Sequence, residues 1–337
     1  MSILATPVKV GNQTLPNRLV MPPMATAKST DNGEVTQELC AYYSEKASGG
    51  SIGLIITEHS YISPEGKASK GQLSLSKDSD RLGLERLVHT IHHHQTKVFA
   101  QLNHAGGLAK REITGCAPLS ASAVLLPKTA RNDRIPQEMT FSDIEKVIAD
   151  FAAAALRAKQ AGFDGVEIHG AHGYLLSQFY SPLTNKRTDA YNGHTLEGRI
   201  RLHLAIVKAI RNSVGSNYPI AIRLGASDHL PGGATIKDSV IAAQALEKAG
   251  VCLLDVSGGF SGYTNPEVHG QGYFQDLTAA IKSHVDIPVL LTGGITEAVA
   301  AERLLQEEKA DMIGVGRALL KSSNWGKQAF STLEKCP

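Results

Sequence analysis

No sign of charge dominates this sequence: 34 lysines and arginines stand against 32 aspartates and glutamates, interspersed along 337 residues. That balance removes the electrostatic footprint of a nucleic-acid binder or of a protein of anionic membrane surfaces. Also missing is an apolar run long enough to cross a bilayer. The opening MSILATPVKVGNQTLPNR has no basic start, apolar stretch and small-residue cleavage site, so a cytosolic location is expected. Cysteine is scarce. Cys40, Cys116, Cys252 and Cys336 form no CxxC pair, which argues against a zinc knuckle or an iron–sulfur cluster and predicts buried free thiols. No GxGxxG turn follows an early strand, as a Rossmann domain would need.

What the chain does have is alternation. With 42% hydrophobic and 20% charged residues it has the composition of a soluble globular protein. Short β-type runs alternate with segments of helical period, the pattern of parallel strands joined by crossover helices. Eight strands are predicted, at Leu19–Met24, Ile52–Glu58, Val98–Asn103, Gly165–His169, Ile220–Leu224, Leu253–Ser257, Val289–Thr292 and Met312–Gly316. Most are rich in Val, Ile and Leu without strict alternation, as strands covered on both faces should be. Between them, FSDIEKVIADFAAAALRAKQAG reads as a helix with Ser142 as N-cap, Glu145 three residues later and Gly162 just past its end. TIKDSVIAAQALEKAG and TEAVAAERLLQEEKA read the same way. Eight such units predict one α/β domain, a (β/α)₈ TIM barrel over residues 1–337. Long insertions follow the third strand, over residues 106–140, and the fourth, from His172 to Gly193.

In such a barrel the residues at the carboxyl ends of the strands converge on one pocket. Here they are Pro23, Met24 and Ala25, Glu58 and His59, Gln101 to His104, Glu167 to His169, Arg223, Ser257 to Gly259, Gly293 and Gly294, and Gly316 and Arg317. Glycine turns after strands seven and eight are where barrels commonly hold phosphate through backbone N–H groups, although glycine also serves any tight turn. Gln101 and Arg223 can offer donors to a planar heterocycle that becomes negative on reduction, such as an isoalloxazine, or Arg223 can be an internal ion-pair partner.

GVEIHGAHGYLLSQFYSP gathers His169, His172 and Tyr174. Three readings are open. The histidines could ligate a metal if Glu58 or His104 joined them, although they lack HExxH spacing. They could hydrogen-bond backbone, or their N–H groups could grip one substrate oxygen while Tyr174 supplies a proton. The run His92 to His94 lies late in a helical segment, where successive side chains diverge and cannot chelate one ion.

The chain resembles the Old Yellow Enzyme family of FMN-dependent ene-reductases, closest to its shorter bacterial subgroup. The resemblance runs from PVKVGNQTLPNRLVMPPM through YYSEKASGGSIGLIITE, QLNHAG, AGFDGVEIHGAHGYLLSQFYSPLTNKRTDAYNG and LLTGGI to IGVGRALL. It implies FMN at the barrel's mouth, with Pro23, Met24, Ala25 and His59 lining the flavin. Gln101 and Arg223 would contact its pyrimidine side, and Gly293, Gly294, Gly316 and Arg317 would hold the phosphate. It further implies that His169 and His172 clamp the oxygen of an activated alkene and that Tyr174 donates the proton, with NADH or NADPH as reductant in a ping-pong cycle. No metal, nucleic acid or membrane partner is implied, and a homo-oligomer is compatible.

The sequence departs from the family at several places. Ala25 stands where relatives carry a cysteine or threonine that touches the ring, so that contact is absent unless Thr26 reaches. Ala27 stands where the subgroup can carry a tyrosine, Gly107 where an arginine is common, and His59 where alanine or glycine is usual. No arginine follows Arg317 to enter a neighbouring subunit's site, and the chain stops without the cysteine cluster and second flavin domain of larger relatives. Two alternatives remain at this stage: a metal-assisted lyase or aldolase using His169, His172 and Glu58, and a flavin-binding redox sensor with incidental turnover.

Overall fold

The structure, a computed structural model, describes residues 2–127 and 135–335. Eight parallel strands form the barrel: β1 (Leu19–Met21), β2 (Leu54–Ile56), β3 (Lys97–Asn103), β4 (Gly165–Gly170), β5 (Ile220–Ser227), β6 (Leu253–Gly258), β7 (Val289–Thr292) and β8 (Met312–Gly314). The sheet runs β2-β1-β8-β7-β6-β5-β4-β3, and pairing of Leu54, Ile55 and Ile56 with Lys97, Val98 and Phe99 closes the ring. Each predicted strand is present. β1, β2 and β8 stop earlier than the sequence suggests, because Pro22 to Ala25, Glu58 to His59 and Gly316 leave the ladder to form the rim.

Side chains of a strand point alternately to its two faces, and here both faces are buried. Val98, Ala100, Leu102, Val166, Ile168, Ile222, Leu254 and Val256 face outward into the apolar layer shared with the helices. Inside, the amino-terminal half is filled by Val20, Leu54, Ile56, Phe99, Ala221, Leu253, Leu290 and Met312. A hairpin, Val8–Val10 paired with Gln13–Leu15, seals that end by adding Val10 and Leu15 to the cluster. Gly165 makes room for the Phe99 ring, which would lie 2.6 Å from any Cβ at that position.

The crossover helices are α1 (Gln37–Ala47), α2 (Arg81–His92), α3 (Phe141–Gln160), α4 (Leu196–Val214), α5 (Ile236–Lys248), α6 (Gln275–Lys282) and α7 (Ala298–Gln306), and α8 (Trp325–Lys335) follows the last strand. Threonine caps recur at Thr36, Thr140, Thr195 and Thr235. The expected Ser142 cap of α3 is corrected to Thr140, whose Oγ1 accepts from Asp143 N at 3.2 Å while Asp143 Oδ2 accepts from Thr140 N at 2.8 Å. Both T-x-x-D and S-x-x-E fit a capping box. Thr140 wins because it is the extended residue, which leaves Phe141 as first helical residue with its ring against Tyr191 and Arg187.

The loops above the carboxyl ends are tied together by buried polar groups. Arg187, in the NKRTDAYNG stretch, donates to Ala121 O and Met139 O of the insertion and pairs with Asp189 at 2.6 Å. Asp228 accepts from Ser181 Oγ, Ala234 N and Phe260 N, joining the loops after β4, β5 and β6. Within the insertion, Leu126 meets Phe260 under Leu108 and Leu230, and the part from 128 to 134 lies outside the described residues. The expectation of buried thiols fails at Cys116, which is exposed on the insertion; Cys40 and Cys252 are half-buried, and Cys336 lies outside the described residues. No helix among the described residues is long and apolar enough to cross a membrane.

Candidate active site

A cavity of about 500 Å³ opens at the carboxyl ends of the strands. Lining it are Pro23, Met24 and Ala25 after β1, His59 after β2, Gln101 on β3, His169, His172 and Tyr174 on and after β4, Arg223 on β5, Gly293 and Gly294 after β7, and Gly316 and Arg317 after β8. Glu58, His104, Glu167 and Ser257 to Gly259, which the sequence also placed at strand ends, are not among the lining residues. A volume of this size suits a cofactor or a drug-sized ligand.

The β4 end fixes three side chains in sequence. His169 Nδ1 accepts from Ala171 N at 3.3 Å, so its neutral ring carries its proton on Nε2. His172 sits at φ +60°, a left-handed turn rare for a β-carbon residue, and Gly173 continues it at φ +75°. That turn brings the His172 ring to 4.9 Å from His169 at a right angle and sends Tyr174 back over the same space, its ring 5.1 Å from His169. His172 Nε2 lies 2.8 Å from Ser257 Oγ; when the serine donates, Nδ1–H is left to serve the pocket. Burial, with the Arg223 charge adding to it, holds both imidazoles well below their usual range, so near neutral pH they are uncharged N–H donors. Burial raises Tyr174, which therefore keeps its phenolic proton.

His59 is engaged through its side chain as well as its backbone. Its Nε2 lies 3.3 Å from Tyr174 Oη, and burial pulls the imidazole down to about 4, leaving it neutral and able to accept from the phenol. The histidines do not assemble a metal cage. Glu58, pushed up to about 7 by burial, turns away to Thr26 Oγ1 at 2.5 Å, and His104 Nδ1 accepts from Gly106 N. Thr26 is thereby committed to Glu58 and is not among the lining residues, nor is Ala27. Among the described residues no three His, Cys, Asp or Glu side chains are placed to hold one ion. In the triple-histidine run, His92 bonds Asp164 and His94 bonds Ser44.

The opposite wall is a glycine cradle. Gly294 stands at φ +68°, where an added Cβ would lie 2.3 Å from Gly270 O, and Gly316, a lining residue, is the N-cap of the short helix Arg317–Lys321. Arg317 Nη2 is 3.4 Å from Tyr273 Oη. Tyr273 and Tyr263 are lining residues that sequence reasoning missed. Both lie in the loop between β6 and α6, where the stretch GGFSGYTNPEVHGQGYF offers no periodicity and its glycines are the only signal. Tyr263 is 69% exposed and presents its ring edge to His172 at 6.2 Å. Arg223 fits both of its sequence readings, since it lines the cavity while its Nε lies 3.3 Å from Asp255 Oδ2.

Comparison with known proteins gives the family and supports the fold. The profile of the NADH:flavin oxidoreductase / NADH oxidase family matches residues 3–335. An NADH oxidase of Thermoanaerobacter brockii is 41% identical over 327 residues, 95% of this chain and 50% of the relative. An NADPH dehydrogenase of Halalkalibacterium halodurans is 38% identical over 319 residues, 94% of this chain and 90% of the relative. The chain thus spans about half the length of the first and nearly all of the second. Among solved structures, 2-naphthoyl-CoA reductase in complex with 2-naphthoyl-CoA superposes with a TM-score of 0.91 at 26% identity, over 98% of this chain and 52% of that one. An old yellow enzyme homologue from Zymomonas mobilis superposes with a TM-score of 0.84 at 26% identity, over 98% and 92%.

Proposed function

Because the chain belongs to the NADH:flavin oxidoreductase / NADH oxidase family, whose chemistry runs on FMN and NAD(P)H, we propose that it reduces activated C=C bonds of enones, enals or nitroalkenes. The residues present fit the cofactor. Gln101 and Arg223 would supply donors for the pyrimidine side of a ring that gains negative charge, and Pro23, Met24, Ala25 and His59 would line the flavin. Gly293, Gly294, Gly316 and Arg317 offer a cationic cradle with room at the backbone for a phosphate. When bound, FMN supplies the relay of a hydride from NAD(P)H to the β-carbon of the alkene.

The protein's own part is oxygen binding and proton delivery. The rings of His169 and His172 lie 4.9 Å apart, and in this reading His169 Nε2–H and His172 Nδ1–H together bind the carbonyl or nitro oxygen of the substrate, which gains negative charge as reduction proceeds. Donors already aimed at a developing oxyanion are each worth on the order of 3 kcal/mol. Tyr174, kept protonated by burial, gives its proton to the α-carbon and recovers one from solvent, so that substrate gains one hydride and one proton per NAD(P)H consumed.

The observation that carries this reading is the convergence of two neutral imidazole donors and one phenol on the same cavity as Gln101 and Arg223. Two measurements test it. The purified protein should be yellow or become so on adding FMN, and a colourless protein that takes up no FMN sinks the proposal. Replacing His169 and His172 together by alanine should abolish the affinity of the loaded protein for a phenol or an enone; unchanged affinity would remove the clamp.

A further inference from the structure

The floor of the cavity is charged where a barrel core is ordinarily apolar. Gln101, Glu167, Arg223 and Asp255 project inward from adjacent strands β3, β4, β5 and β6, and all four are sealed from solvent. Gln101 and Arg223 also line the cavity, whereas Glu167 and Asp255 are not among its lining residues. Gln101 donates from Nε2 to Glu167 Oε1 at 2.7 Å, and Arg223 stands against Asp255. Glu167 Oε2 has no hydrogen-bond partner.

Two carboxylates sharing one guanidinium in a dry core leave a negative charge uncompensated, a state that costs several kcal/mol. A single proton relieves it. Burial pushes Glu167 well above the ordinary carboxyl range, the Asp255 charge adds to the rise, and Arg223 and Gln101 oppose it. Asp255, which faces the guanidinium, is raised only to about 6. The charged neighbours of Glu167 are therefore Asp255 and Arg223, and the imidazoles above it at His169 and His172 are neutral.

We propose that Glu167 holds the one proton of this buried pair at neutral pH and, acting through Gln101 and Arg223, couples its own ionisation to the redox state of the flavin above. The inference rests on the reading that FMN occupies the cavity, and it makes Glu167 a positioning residue rather than a catalytic one. Where Glu167 is protonated, two-electron reduction draws one proton, which goes to the ring. At higher pH, where Glu167 is ionised in the oxidised protein, the negative charge arriving on the ring draws a second proton from solvent onto the carboxylate. Reoxidation returns it.

The test is the midpoint potential of the FMN-loaded protein against pH, with dithionite as reductant. One proton per two electrons gives a slope of about 30 mV per pH unit, and two give about 60. The wild type should pass from the shallow to the steep slope as pH rises. Glu167→Gln, which keeps an acceptor for Gln101 and is permanently neutral, should stay shallow throughout and match the wild type at the acid end. A single shallow slope in the wild type, or a steep region retained in Glu167→Gln, overturns the proposal. Infrared spectroscopy of flavin-free Glu58→Gln protein, which lacks the other carboxyl raised to about 7, supplies a second measurement: a protonated-carboxyl C=O band should be present at neutral pH and lose intensity at alkaline pH. Its absence also overturns the proposal, even where Glu167→Gln does not fold. Failure to bind FMN, with that band present, would count against the functional reading alone.

Discussion

The two halves of the barrel interior are built on opposite principles. Toward the amino ends of the strands the inward positions are Val20, Leu54, Phe99, Ala221, Leu253, Leu290 and Met312, closed off by Val10 and Leu15. Two residues further along β3, β5, β6 and β7 they become Gln101, Arg223, Asp255 and Thr292, and Glu167 of β4 stands beside Gln101. The first set gains stability from every methylene it hides. The second set gives some of that stability back, because buried charges and unpartnered oxygens are costly, and it gains a place where charge can be met. A barrel can afford such a layer because its lower half and its helical jacket hold it shut.

The largest expected contrast lies in single substitutions above and below that boundary. Tyr174→Phe, above it, should slow the proton-delivering half of the reaction roughly 10²- to 10⁴-fold. Flavin reduction by NAD(P)H and the unfolding midpoint should change little. Rapid mixing of the reduced variant with cyclohexenone measures the first, and equal rates in wild type and variant would remove Tyr174 as the acid. Phe99→Ala, below the boundary, should show the converse: about 3–5 kcal/mol of stability lost to a cavity in the sealed core. Turnover per folded molecule should be retained. A denaturant midpoint that does not move would mean that the lower half is not where the barrel's stability resides.

The pH dependence of stability sharpens the comparison, since the inward residues of the apolar half carry no group that titrates between pH 4 and 7. His59 is neutral in the folded protein down to about 4, against an ordinary value near 6.5. As pH falls through that window the unfolded chain takes up a proton that the folded one refuses, so stability present above pH 6.5 is lost toward pH 4. His59→Gln keeps a polar tip for Tyr174 Oη and has no proton to take up. It should flatten the acid limb by at most about 3 kcal/mol. Asp255 acts with the opposite sign, since a folded value raised to about 6 makes its contribution fall as pH rises from 3.8 to 6. Unfolding of wild type and His59→Gln between pH 4 and 7 separates the two, and parallel curves would show that the His59 ring is not desolvated.

Legibility in the sequence follows the same division. The strands could be read because burial on both faces leaves an uninterrupted apolar run, as in VLLT and LLDV, whatever the inner face later holds. The inward polar residues His169, Gln101 and Arg223 could be read because they stand at the ends of those runs. What could not be read depends on long-range geometry. Tyr263 and Tyr273 reach the cavity from a loop without periodicity, and the His59 ring finds Tyr174 from 115 residues away. Much of the distinctive NKRTDAYNG stretch is structural: Asn185 donates to Phe179 O and Tyr191 O, Arg187 to Ala121 O and Met139 O of the insertion, and Asn192 accepts from the amides of His194 and Thr195 just before α4.

The smallest effect concerns a boundary read two residues late. Ser142 and Thr140 each head a capping-box pattern, and local chemistry alone does not choose between S-x-x-E and T-x-x-D. The choice is made by the chain before α3, where Gln137–Glu138 pairs with Leu119–Ser120 and delivers Thr140 in an extended conformation. Phe141 then packs on Arg187, so the helix starts where the insertion is stapled down. Thr140→Ala should cost about 1 kcal/mol, as loss of an N-cap does. Ser142→Ala, inside the first turn, should be neutral or gain a few tenths of a kcal/mol, since alanine is the better helix former. Equal losses from the two would mean that the cap shifts between them and that the insertion does not set the start of α3.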